Sequence, residues 1–169
     1  REFLETELAI PALDGIKSAA DRFAGASETY CVEALMRNGW ALQAGTSHDL
    51  GQHFAKAFNI KFLDEDNVEK YVYQTSWGVS TRLIGGLIMS HSDDSGLRLP
   101  PRVAPYQVVI VPILFGKDPA KTAAILDTVE SLRQALADRG VRVTCDLRDN
   151  VKPGFKYSEW EMRGVPVRM

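Results

Sequence analysis

The sequence predicts an α/β (α+β) protein of two parts, an antiparallel sheet with helices followed by a βαβ unit. Three observations carry that prediction. Thr29–Met36 and Trp40–Ala44 are alternating runs joined by Arg37-Asn38-Gly39, and Asn-Gly favours the positive φ of a two-residue hairpin. A hairpin makes its two strands antiparallel. Further on, an apolar run from Tyr106 to Ile113, a helical pattern closed by Gly140, and Val141–Cys145 read as strand, helix, strand with short connections, the pattern of a right-handed parallel βαβ unit. Between the two parts, Leu97–Pro105 contains Pro100-Pro101, which no regular helix accommodates. This run reads as a linker, with the boundary near Ala104 and domains at 1–104 and 105–169.

Taken in order, Arg1–Leu8 reads as an amphipathic helix (Phe3, Leu4, Leu8), and Pro11 to Ala26 as a loop with at most one helical turn. Thr29–Met36, with Tyr30, Val32 and Leu35, is a half-buried strand, and Trp40–Ala44 returns beside it. Gly45-Thr46-Ser47-His48 ends that strand, and Asp49–Phe58 is a helix with Leu50, Phe54 and Phe58 inward. His48 with Asp49 makes a two-member metal set, too few for a site; capping of the helix by Thr46, Ser47 or Asp49 is the structural alternative. Glu69–Tyr73 alternates as a strand that leads into Gln74–Gly78. After Gly78 the apolar spacing becomes helical, with Val79, Leu83, Leu87 and Ile88 on one face. In the second part, Tyr106–Ile113 is a strand covered on both faces. Asp118-Pro119 starts a helix whose inward stripe is Ile125, Val129, Leu132 and Leu136, and Gly140 stops it. Gly116-Lys117 lacks the first glycine of a phosphate-binding loop and reads as a simple turn. The final segment runs through a charged stretch, a helix to Arg163, a stop at Gly164 and a strand from Val165.

The composition narrows the functions. Of 169 residues, 45% are hydrophobic and 25% charged, with a net charge of −2, so no global basic field announces nucleic acid and any RNA contact must be local. Cys31 and Cys145 form no CxxC pair and read as free thiols of a reducing compartment, against a zinc site. No apolar run is long enough for a bilayer and no signal peptide opens the chain, which gives a cytoplasmic reading with no membrane. Both ends read as cut, as in a piece of a longer protein.

The stretch richest in chemistry is Gln74–Gly86. Arg82 sits off the apolar face, close to the helix N-terminus, where a cation opposes the helix dipole and so serves something other than helix stability. A helix N-terminus beside an arginine suits a polyphosphate; a strand-to-helix turn with a solvated arginine is the alternative. Gly85 and Gly86 cost about 1 kcal/mol each inside a helix, which close backbone packing would offset.

A strand, Ser76-Trp77-Gly78, then a helix carrying Thr81-Arg82-Leu83-Ile84-Gly85 resembles motif 3 of prolyl-tRNA synthetases, within the class II aminoacyl-tRNA synthetases. Lys17-Ser18, Arg22-Phe23-Ala24-Gly25-Ala26, Ala41–His48 with Leu50-Gly51-Gln52, the run His91–Pro112 and the run Asp146–Arg168 resemble the same enzymes in the same order. The resemblance implies a piece of a class II antiparallel-sheet catalytic domain followed by a mixed-sheet βαβ anticodon-binding domain. It implies activation of proline by ATP (with Mg²⁺) to prolyl-adenylate and transfer to tRNA(Pro), in a parent that is a homodimer. It places Gln43, Thr46, Ser80 and Arg82 on ATP, with Arg82 catalytic, and Thr46, His48, Ser76, Trp77 and Gly78 on proline; no metal ligand follows. Asp146, Arg148, Asp149, Lys156 and Glu159 are the expected anticodon contacts; by composition alone the same segment is a solvated end with its aromatics in the core. Motifs 1 and 2 of the class are absent, so half of an active site is expected. The alternative is a non-catalytic tRNA-binding or regulatory module derived from such an enzyme.

Overall fold

The computed structural model describes residues 1–114 and 118–169, which leaves Gly116-Lys117 outside the described residues. The chain divides into two compact units, one of residues 1–6 and 10–86, the other of residues 7–9 and 87–169.

In the first unit the elements are α1 (Glu2–Thr6), β1 (Ala12–Ile16), β2 (Glu28–Leu35), β3 (Ala41–Gly51), α2 (His53–Ala57), β4 (Lys61–Leu63), β5 (Glu69–Tyr71), β6 (Gln74–Gly78) and the first turns of α3 (Arg82–His91). Four strands form an antiparallel sheet in the order β1-β2-β3-β6, and β4 and β5 pair as a separate hairpin. The expected loop at Pro11–Ala26 therefore contains a strand. Ala12 to Ile16 pair with Ala34 to Tyr30 of β2, and of these five residues only Ala12 is buried. An edge strand so exposed leaves no alternation to read; β2 imposes it.

Two further expectations change for one reason, the length of β2. Its eight residues pair out to Glu28 opposite Asp49, which keeps β3 extended through Gly45-Thr46-Ser47-His48 and Asp49. Backbone pairing here outweighs the local helical pattern. The helix shrinks to His53–Ala57, with Ala55 its buried residue and Phe58 71% exposed, while Leu50 is buried as part of a strand. Gln52 is the N-cap and makes no side-chain cap bond, so Thr46, Ser47 and Asp49 cap nothing; Asp49 Oδ1 instead accepts the Gly51 N–H at 2.8 Å. The hairpin loop also has three residues where two were expected. The Met36 N–H donates to Trp40 O at 2.8 Å and the Gly39 N–H to Met36 O at 2.9 Å. Gly39 takes φ 82° while Asn38 stays negative, the pattern of a turn closed by one left-handed glycine.

The run Glu69–Tyr73 breaks after Tyr71: β5 joins β4, and β6 pairs with β3. In α3 only Leu87 of the expected face is buried, and Val79, at 68% exposed, precedes the helix. Gly86 justifies itself by packing, since a Cβ there would stand 2.7 Å from Leu42 Cδ2, whereas Gly85 meets nothing.

The second unit holds β7 (Val108–Ile110), α4 (Pro119–Ala137), β8 (Val143–Cys145), α5 (Pro153–Met162) and β9 (Val167–Arg168). The sheet order is β8-β7-β9 and both pairings are parallel; the antiparallel partner that a mixed sheet needs is not among the described residues. Strand β7 is covered on both faces, as its unbroken apolar run requires. Val108 and Ile110 pack with Val129, Ile125 and Leu136 of α4, and Val109 and Val111 with Val165, Tyr157 and Trp160. Leu132 is 41% exposed: three residues beyond Val129, it falls to one side of the Ile125–Val129–Leu136 line. Asp118 caps α4 by accepting the Lys121 N–H, with Pro119 in the first turn. The linker run is fastened to this unit by Arg142, whose guanidinium donates to the carbonyls of Ala104 at 3.0 Å and of Pro101 and Arg102 at 2.8 Å.

Candidate functional site

In the first unit, β3, β6 and the start of α3 enclose an open cleft of about 330 Å³. It is lined by Gln43, Thr46, His48, Ser76, Trp77, Gly78, Ser80 and Arg82, with Ala44, Gly45 and Val79 between them. All eight residues expected on ATP or proline thus meet at one place. The pairing of β3 with β6 produces this: Thr46 stands opposite Gly78 and His48 opposite Ser76, and directly opposed residues share a face. Trp77 borders the same cleft but stands opposite Ser47, on the alternate register, and is 78% exposed. His48 and Asp49, adjacent on one strand, point to opposite faces, which removes them as a joint metal set. No group of three or more metal-ligating side chains occurs among the described residues.

Arg82 is the first residue of α3 and is exposed. Among the described residues its guanidinium has no carboxylate partner. Its backbone N–H donates to Ser80 Oγ at 3.3 Å, so Ser80 satisfies one of the free amides of the first turn. A cation without a counter-ion beside the positive end of a helix is an anion-binding arrangement.

Behind the cleft lie residues to which the sequence alone gives no role. Lys17 Nζ donates to Gln43 Oε1 at 2.6 Å. Thr29, 1% exposed, has its Oγ1 2.9 Å from His48 Nδ1 and 3.3 Å from the Phe23 amide N. The Phe23 ring lies 4.8 Å from the His48 ring and also faces Phe54. The only sequence signal is that Lys17 and Phe23 fall within the strings of resemblance; nothing in their spacing points at the site.

In the second unit three of the expected anticodon residues, Arg148, Lys156 and Glu159, gather around a fourth, Asp146. Its carboxylate accepts from Arg148 Nε at 2.8 Å and Nη2 at 2.5 Å, and from Trp160 Nε1 at 2.9 Å. Lys156 Nζ donates to the Asp146 carbonyl at 3.0 Å, and Glu159 accepts from both Arg148 and Arg163 at 2.6 Å. The Arg148 guanidinium, with the Trp160 indole N–H, holds the Asp146 carboxyl well below the ordinary carboxylate range despite its burial, and Arg148 is raised in turn. Asp146 and Lys156 are only 4% and 3% exposed, so their polar groups are spent inside the protein. Arg148 and Asp149 reach the surface, as does Phe155, which is 62% exposed and so departs from the reading that buried the aromatics.

The chain is similar to known proteins in both of its units. Residues 107–169 match the "Anticodon binding domain" family. The chain is 56% identical over 167 residues to the proline–tRNA ligase of Salinibacter ruber, covering 99% of this chain and 34% of the relative. Identity to the enzymes of Natranaerobius thermophilus and Symbiobacterium thermophilum is 56% and 59% over 169 residues, again 34% of each relative. The chain therefore spans about a third of the length of the curated relatives it matches.

Proposed function

We propose that the chain, which is similar over 99–100% of its own length to proline–tRNA ligases, carries part of the ATP and proline site of such a ligase together with tRNA-contacting surface. The observation that carries the proposal is the convergence of Gln43, Thr46, His48, Ser76, Trp77, Gly78, Ser80 and Arg82 on one cleft. Sequence distance alone gives no reason for residues from three elements to meet there.

The reaction has two steps. A carboxylate oxygen of proline attacks the α-phosphorus of ATP and pyrophosphate leaves, giving prolyl-adenylate. A hydroxyl at the tRNA 3′ end then attacks the acyl carbon and AMP leaves. Neither step needs a protein nucleophile; positioning and neutralisation of phosphate charge carry the catalysis. Arg82 supplies a cation for the phosphate tail at the N-terminal, positive end of α3. Gln43 and Ser80 border the nucleotide, and Thr46 and His48 border both ligands. Trp77, Ser76 and Gly78 edge the space for the pyrrolidine ring. Mg²⁺ would come with the nucleotide; no ligand for it is assigned in this chain and no step is derived through it. In the second unit, Arg148, Lys152 and Phe155 are the surface groups suited to phosphate contact and base stacking. The working form proposed is a homodimer in the cytoplasm, and no helix among the described residues is long and apolar enough to cross a membrane.

The test is exchange of pyrophosphate into ATP by the full-length protein that contains this chain. Exchange that depends on proline supports the reading. Exchange driven equally well by alanine or threonine, with none for proline, overturns it.

A further inference from the structure

We infer that Lys17 and Thr29 are positioning residues that fix which atoms Gln43 and His48 present to the cleft, so that both show N–H donors. Thr29 Oγ1 is buried, with its residue 1% exposed, and lies 3.3 Å from the Phe23 backbone N, whose hydrogen can only be donated. The hydroxyl's own proton then needs an acceptor, and His48 Nδ1, 2.9 Å away, is the one within reach among the described residues. Were His48 to carry its proton on Nδ1, a buried O–H would be left with no acceptor. The neutral ring is therefore the Nε2–H form, with Nε2 the nitrogen left for the cleft that His48 lines. The Phe23 ring, 4.8 Å from the imidazole and tilted by 37°, limits its rotation.

Gln43 is oriented by its own donor. An ammonium has only donors, so the atom 2.6 Å from Lys17 Nζ is the amide oxygen, and the –NH₂ group is the end left for the cleft. With Arg82, three donors then border the cleft, an arrangement for a ligand rich in acceptor oxygens. What this means for catalysis rests on the function proposed above; the positioning itself does not.

The experiment is a long-range ¹H–¹⁵N spectrum of the histidine rings in the 169-residue chain at about pH 8, above the ordinary histidine value of about 6.5. The chain has three histidines, and two act as internal standards. His53 Nδ1 lies 2.8 Å from the Gly25 carbonyl and must carry its proton there, while His91 Nε2 lies 2.7 Å from the Leu8 carbonyl and must carry its proton on Nε2. The expected result is His48 in the same form as His91. In Thr29→Val it should become a mixture of both forms, and in Thr29→Ser return to Nε2–H, with His53 and His91 unmoved in both. A wild-type His48 protonated on Nδ1 overturns the inference, whether or not the valine variant folds; so does a folded Thr29→Val chain with an unchanged His48. In the full-length protein, Thr29→Val and Lys17→Met should each lower kcat/KM for proline-dependent exchange by about tenfold, the size of one lost hydrogen bond, with Thr29→Ser restoring it. Absence of all exchange in the wild type would refute the proposed function, while the ring spectrum would still test the role of Thr29 by itself.

Discussion

Replacing Asp146 by Asn tests whether the charged cluster of the second unit is framework. The substitution keeps shape and removes charge, and its cost follows from the donors involved. Oδ1 accepts from the Arg148 backbone N–H and Nε, Oδ2 from Arg148 Nη2 and Trp160 Nε1. An asparagine amide has one oxygen, so whichever way it is turned, two of these donors lose their acceptor. Arg148 is partly exposed and can recruit water, which moderates the loss. Lys156 has no such outlet. Its ammonium is 3% exposed and lies 3.8 Å from Asp146 Oδ1, and breaking a buried pair by removing one charge typically costs about 3–5 kcal/mol. We take the low end, about 3 kcal/mol, which is a large share of the roughly 5–15 kcal/mol that stabilises an ordinary domain. In a unit of this size it lowers Tm by about 12 °C or more.

Thermal unfolding at pH 7, followed through the Trp160 indole N–H resonance, measures this directly. Trp160 is the sole tryptophan of the second unit and donates to the carboxylate in question. A shift within about 2 °C would refute the account of Lys156 as a buried cation dependent on Asp146. The double variant Asp146→Asn with Lys156→Met removes the stranded ammonium and should be more stable than the single variant. The pH dependence has a definite sign. The folded carboxyl is depressed below its ordinary value of 3.8, so its contribution is complete above that value and is lost as pH falls through the lower folded value. The gap between wild type and Asp146→Asn must therefore narrow below about pH 3.8 and stay constant above it.

Other substitutions separate function from framework. Arg82→Ala should lower adenylate formation in the full-length protein by about 100-fold, since it removes a cation aimed at transition-state charge, while Tm stays unchanged; parallel loss of both would make Arg82 structural. Gly164→Ala should destabilise the second unit by about 2 kcal/mol or more, because the residue sits at φ 76° and a Cβ would lie 2.8 Å from Leu97 Cβ and Leu99 Cγ. An unmoved urea midpoint would refute that. Lys152→Ala should weaken tRNA binding and reduce the slope of log K against log salt by about one, whereas Lys156→Met should leave the slope alone once the unit is folded. Equal slope changes would return Lys156 to the RNA surface.

How much of the fold is legible in the sequence depends on whether a segment's neighbours are local. The βαβ unit reads from its sequence because each cue acts within a few residues: Asp118-Pro119 opens α4, Gly140 closes it, and the run from Val108 to Val111 is apolar because both faces are covered. The first unit reads less well because pairing decides it. β1 is a strand only because β2 offers an edge, and the helical pattern after Asp49 loses to pairing with Glu28. In the charged stretch from Asp146 to Glu159 the residue types are legible, but not which of them fold inward; Asp146 and Lys156 look like surface charges until their mutual contacts are seen.

The cleft poses a subtler problem. On a regular strand Thr46 and His48 share a face and Gln43 lies on the other, since side chains alternate. The three line one cleft because β3 is irregular between them. Val32 pairs with Gly45 and Glu33 with Gln43, which leaves Ala44 as an extra residue and shifts the alternation by one. Gly45 marks the place, for a glycine inside a strand often accompanies a bulge or a close approach, and a Cβ there would come 3.1 Å from Val79 Cγ1. The resemblance assigns Gln43, Thr46 and His48 to one site without explaining how a two-residue repeat could put them there. The bulge supplies the physical reason, and it makes the single unpaired Ala44 a condition for Gln43 to reach the cleft at all.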